Sequence, residues 1–75
     1  MAGLATDMRA AVDGAPVGSR WLHRKGGEYV VVGHCLLEAT VTPAILYSHE
    51  EPGSPFWARA ASEFLDGRFA RIKET

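Results

Sequence analysis

Apolar and polar positions follow different rhythms along the chain, and each rhythm predicts an element. Leu4, Met8, Ala11 and Val12 recur at helical spacing, with Asp7, Arg9 and Asp13 on the other side and Gly14 placed as a C-terminal stop. This predicts a short amphipathic helix within an N-terminal segment, residues 1–17, that is set apart from the rest. Three turns at most cannot hold themselves in water, so the helix is expected either to dock on the remainder of the chain, the favoured outcome, or to fray.

The longest strand-like run begins at Lys25-Gly26-Gly27-Glu28. A two-residue Gly-Gly loop supplies the positive φ angles of a tight hairpin, so the chain is expected to reverse there. Tyr29, Val30, Val31 and Val32 then favour a pleated strand, and apolar residues continue on both parities to Leu37. Simple alternation sets Tyr29, Val31, Gly33, Cys35 and Leu37 on one face and Val30, Val32, His34 and Leu36 on the other. Both faces then need cover, which a strand bent at Gly33 around a small barrel would provide.

The first strand, 19–23, pairs across the glycine turn with 28–37. A loop over 38–43 leads to a third strand, 44–49, with Ile45 and Tyr47 on one side. Two prolines and a glycine make 50–55 irregular. Residues 56–59 form a short fourth strand, 60–66 a single helical turn with Ser62 as its capping residue, and 68–72 a last strand after Gly67. The order predicts a mainly β fold: a small SH3-like five-stranded barrel over 18–75, with a short N-terminal helix and a one-turn helix before the last strand. The competing arrangement is an open antiparallel sheet with the N-terminal helix over one face.

Composition narrows the partners more than the fold. Seventy-five residues leave room for one domain, and the apolar share of 47% with 23% charged residues is that of an ordinary globular chain. A net charge of −1 gives no global attraction to nucleic acid or an anionic membrane, so any such contact must be local. Cys35 is the single cysteine, which rules out an intramolecular disulfide and fits a reducing, cytoplasmic setting. No apolar run is long enough to span a bilayer as a helix.

The blocks Trp21-Leu22-His23-Arg24-Lys25-Gly26-Gly27-Glu28-Tyr29-Val30-Val31, Glu38-Ala39-Thr40, Leu46-Tyr47, Trp57-Ala58-Arg59 and Phe64-Leu65-Asp66-Gly67-Arg68-Phe69 resemble the small bacterial and phage proteins of domain of unknown function 1653. The resemblance covers about residues 18–72. It implies the same fold and brings forward Tyr29, Tyr47, Trp57 and Arg59 as matching positions. Family members often carry a proline after that arginine, where this chain has Ala60. The family has no assigned activity to transfer.

Candidate chemistry is sparse. His23, His34, His49 and Cys35 are the soft metal ligands, but His34 and Cys35 are strand neighbours on opposite faces, so no metal or other cofactor is expected. Cys35 sits in an apolar strand, where a thiol is inert. Glu50 and Glu51 lie in a solvated proline loop, and the serines and glycines match no nucleophile-elbow, P-loop or dinucleotide pattern, so no catalytic residue and no enzymatic activity are expected. The favoured expectation is a non-catalytic binding module for a peptide, protein or small ligand, using Tyr47, Trp57 and Arg59 beside the loop 50–55. The alternative is nucleic-acid or nucleotide binding through the hairpin residues Arg20, Trp21, Arg24 and Lys25, where cations meet phosphate and the indole stacks.

Overall fold

The alternating segments pair into one antiparallel sheet whose strands run, in chain order, β1 (Arg20–His23), β2 (Glu28–Leu37), β3 (Thr42–Ser48), β4 (Trp57–Ala60) and β5 (Phe69–Ile72). A computed structural model describes residues 2–73, without the side chains of Ala2, Leu4 and Ala5. The N-terminal helix α1 covers Ala2–Gly14, and a one-turn helix α2, Ala61–Phe64, precedes β5. Strand order across the sheet is β4-β3-β2-β1-β5. Consecutive strands are neighbours except for β5, which crosses to pair with β1. No ladder joins the edge strands β4 and β5, so hydrogen bonding does not close the sheet.

The chain reverses between β1 and β2 as expected, but with a longer loop. Gly26 N–H donates to His23 O at 2.8 Å and His23 N–H donates to Gly27 O at 3.0 Å. Arg24, Lys25 and Gly26 therefore form a three-residue loop ahead of Gly27, and both glycines have positive φ, 96° and 93°. The two basic residues occupy the tip.

The simple parity of β2 breaks at its centre. Val31 pairs with Tyr47, yet Gly33 pairs with Leu46, so β2 holds one residue more than β3 at this point. This bulge carries His34, opposite the buried Ile45, to the face of Tyr29 and Val31, whereas alternation had put it on the reverse face. Cys35, opposite Ala44, goes to the other side. The bend expected at Gly33 is thus a register shift, and a Cβ there would make only ordinary contact with Leu46 Cδ1 at 3.5 Å.

One face of the sheet carries the core: Trp21, Val31, Ile45, Tyr47 and Phe69, joined by Phe64 from α2 and by Ala11 and Ala15 from the N-terminal segment. The helix α1 docks, but through its smallest residues. Ala11 and Ala15 are fully buried while Val12 is exposed and Met8 half-buried; Leu4, the other member of the expected stripe, has its side chain outside the described residues. Small residues let the helix approach closely: a Cβ on Gly14 would lie 3.0 Å from Leu65 Cδ1. His34 Nε2 fixes the end of this segment by donating to Ala15 O at 2.6 Å. Ser62 does not cap α2, whose N-cap is Ala60 with no side-chain hydrogen bond. Instead α2 delivers Phe64, which stacks on Phe69 at 4.2 Å between centroids and meets Trp21 edge-on at 5.1 Å.

Candidate functional site

The core face ends in an aromatic basin between the two edge strands. A shallow pocket of about 310 Å³ is lined by His23, Tyr29, Tyr47, Trp57, Arg59 and Phe69. Register puts them together: Tyr47 pairs with Trp57, Ile45 with Arg59 and His23 with Phe69, so the inward positions of every strand contribute. Tyr29 stands at the centre, edge-on to Tyr47 at 5.3 Å, to Trp57 at 5.8 Å and to Phe69 at 5.9 Å. His49 stacks on Tyr29 at 4.4 Å and meets the edge of Trp57 at 5.4 Å, held by its Nδ1–H donating to Glu28 O at 2.9 Å.

The three residues favoured from the sequence converge, in unequal roles. Trp57 is 40% exposed and forms an open wall; Tyr47 is 6% exposed and belongs to the floor, so it is not a free surface ring. The Tyr47 hydroxyl accepts a hydrogen bond from Arg59 Nε at 3.3 Å, and the Arg59 guanidinium carbon lies 5.6 Å above the Phe69 ring. That hydrogen bond holds the guanidinium pKa above its ordinary value. Through this contact β4 and β5, unjoined by hydrogen bonds, meet across the basin. Arg59 does not pair with the loop glutamates: Glu50 Oε1 is instead 2.7 Å from Arg20 Nε. Phe56, one residue before β4, is 68% exposed and outside the basin lining.

The hairpin quartet does not form one surface. Trp21 is buried, with its Nε1–H donating to Ser19 Oγ at 2.9 Å beneath Phe64, so it cannot stack with a ligand base. Its strand neighbour Arg20 points to the reverse face, toward Glu28 and Glu50. Arg24 and Lys25 remain at the exposed hairpin tip, next to His23 and hence next to the basin.

His23 was weighed in the sequence as a metal ligand and as a member of the basic and aromatic hairpin run, not as a basin residue, and Phe69 was not singled out as a site residue. Lys25 N–H donates to His23 Nδ1 at 3.1 Å, so that nitrogen is an acceptor and the proton of the neutral ring sits on Nε2. Desolvation, then the charges of Arg59, Arg24, Lys25 and Arg68, hold its pKa below 6.5. Geometry and field both favour the neutral ring. Both residues could have been found from the β1–β5 pairing, which no local pattern announces. Tyr29 was legible from strand alternation, which puts it on the face of Val31, and His49 from its position two residues beyond Tyr47.

Among the described residues no three His, Cys, Asp or Glu side chains are grouped to hold a metal ion, and no helix is long and apolar enough to cross a membrane. Comparison with known proteins returns no family model, no curated protein and no solved structure that matches the chain.

Proposed function

We propose that the protein is a non-catalytic binding module that holds a ligand in the basin of Tyr29, Tyr47, Trp57 and Arg59. The observation that carries this reading is the state of Trp57: a large ring on the core face left 40% exposed, backed by packed aromatic rings and flanked by an arginine. A ring fixed in this way offers contact area at low entropic cost. The lining of four aromatic rings, one imidazole and one guanidinium offers rigid contact area with a few hydrogen-bonding groups, the make-up of a recognition site. An SH3-like barrel is the architecture we favour, supported by the strand order β4-β3-β2-β1-β5, the one-turn helix before the last strand and the side-chain contact of Arg59 with Phe69 between the sheet edges.

The test is Trp57→Ala, compared with the parent protein in melting and in capture of partners from native lysate with and without nuclease. A folded variant of nearly native stability that loses its partner is the expected result. A stability loss of roughly 3 kcal/mol or more would mark a core ring and end the proposal.

A further inference from the structure

We infer that the basin takes a flat ring bearing an adjacent anionic group, the chemistry of a nucleobase with its phosphate. The inference rests on the binding reading above and concerns what is bound. The pocket lining contains four aromatic rings, one imidazole and one guanidinium, and no carboxylate. Two other arginines of the sheet region are engaged by acids: Arg20 by Glu28 and Glu50, Arg68 by Glu63 and Asp66 at 3.4 and 3.0 Å. Arg59 differs. Its partners among the described residues are the Tyr47 hydroxyl and the face of Phe69, and Glu63 and Asp66 act on it only at longer range. A guanidinium so placed keeps donors for an anion's oxygens.

The β1–β2 hairpin adds to the same field. Arg24 and Lys25, at the exposed tip beyond His23, join Arg59 in acting on the His23 ring, so the side of the basin toward the β1–β2 hairpin carries positive charge, while Glu63 and Asp66 offset the charge of Arg68. Indole faces also attract ammonium ligands, but a cation seated here would meet the Arg59 charge, so an aromatic cage for a quaternary ammonium is disfavoured. An anion carried on a ring meets both features: the ring on Trp57, the charge on Arg59 with Arg24 and Lys25 behind it. A phosphate, with several acceptor oxygens, uses such a cluster better than a single carboxylate does. Each sequence-derived site contributes charge to it: Arg59, beside Trp57, from one, Arg24 and Lys25 from the other. A free nucleotide and a single nucleic-acid strand present the same base and phosphate.

The probes are adenosine 5′-monophosphate, adenosine, inorganic phosphate and a short single-stranded oligodeoxyadenylate, titrated into the isotope-labelled full chain while the Trp57 and Trp21 indole N–H resonances are followed. Expected is movement of the Trp57 resonance and not of Trp21 with the monophosphate or the oligonucleotide, weakening as salt rises. Adenosine and phosphate alone should bind at least about tenfold more weakly, and Arg59→Gln should cost the monophosphate about tenfold. Should that variant melt early, the exposed pair Arg24→Gln with Lys25→Gln carries the same test with a smaller loss. Preference for the oligonucleotide identifies a strand as the source, and preference for the monophosphate a free nucleotide. Equal binding of adenosine and its monophosphate, or no response of Trp57 to any probe, overturns the inference. The binding reading still stands in that case if Trp57→Ala stays folded and loses its partner.

Discussion

Trp21 and Trp57 lie on the same face of the same sheet and meet opposite fates. Trp21 belongs to β1, paired on one side with β2 and on the other with β5, and Phe64 of the one-turn helix lies against its ring. Trp57 belongs to the edge strand β4, which has β3 alone as a neighbour. The first ring is buried with its N–H bonded to Ser19; the second stands 40% open beside an arginine. Identity of side chain and direction of pleat are the same in the two cases. What covers the ring decides: Trp21, like Phe69 on the other edge strand, lies against Phe64, whereas Trp57 has no such cover.

The comparison breaks most sharply under truncation of the inner ring. Trp21→Ala should cost about 3–5 kcal/mol, because the cavity beneath Phe64 cannot collapse and Ser19 loses its donor, and urea denaturation should show the loss directly. Trp57→Ala should cost only about 1–2 kcal/mol, in proportion to the smaller area withdrawn from water. If the two losses were equal, the covered and uncovered rings of this sheet would be energetically alike, and the contrast drawn above would fail.

Tyr47 joins the two regions, with its ring in the core and its hydroxyl on Arg59. Tyr47→Phe keeps the ring and removes the hydrogen bond. It should change stability by about 1 kcal/mol or less, yet loosen Arg59 and weaken ligand binding, as titration against the parent protein would reveal. A variant that binds as well as the parent would make the hydroxyl irrelevant to the basin.

The smallest expected effect is on pH dependence. His23 has its folded pKa held below the unfolded value of 6.5 by desolvation and then by the charges of Arg59, Arg24, Lys25 and Arg68. The unfolded chain therefore binds the proton first as pH falls. The contribution of the neutral ring is fully present above about pH 6.5 and is lost as pH drops from there toward the folded pKa. Protonation of Nδ1 would also break its bond from Lys25 N–H. Melting curves below pH 6.5 should fall less steeply for His23→Gln than for the parent.

The local elements were readable because their causes are local. Glycines at 26 and 27 force a reversal, the β-branched run from Val30 favours a strand over Glu28–Leu37, and proline and glycine keep 50–55 irregular. The grouping of Trp57 with Arg59 followed from their spacing of two along a strand, and Tyr47 joins them because antiparallel pairing brings it opposite Trp57. The split between the two tryptophans was not readable, since a sequence does not state which ring another element will cover. The helix stripe held at Ala11 and failed at Val12, which is exposed, while Ala15 just beyond the helix is buried: close approach to the sheet favoured the small residues.

By itself, then, the sequence determined a mainly β chain, five strands, a short helix at each expected place and the reversal at the glycines, because propensity and turn chemistry act over a few residues. Only the tertiary structure decided that β5 returns to β1 and brings Phe69 beneath Arg59, and that the register shift between Val31 and Gly33 turns His34 toward Ala15. It also buried Trp21 beneath Phe64 while leaving Arg24 and Lys25 beside the basin. The physical reason is that strand pairing joins residues far apart in the chain. A single extra residue in one strand reverses every side chain after it, and no local preference encodes where the partner strand will place the shift.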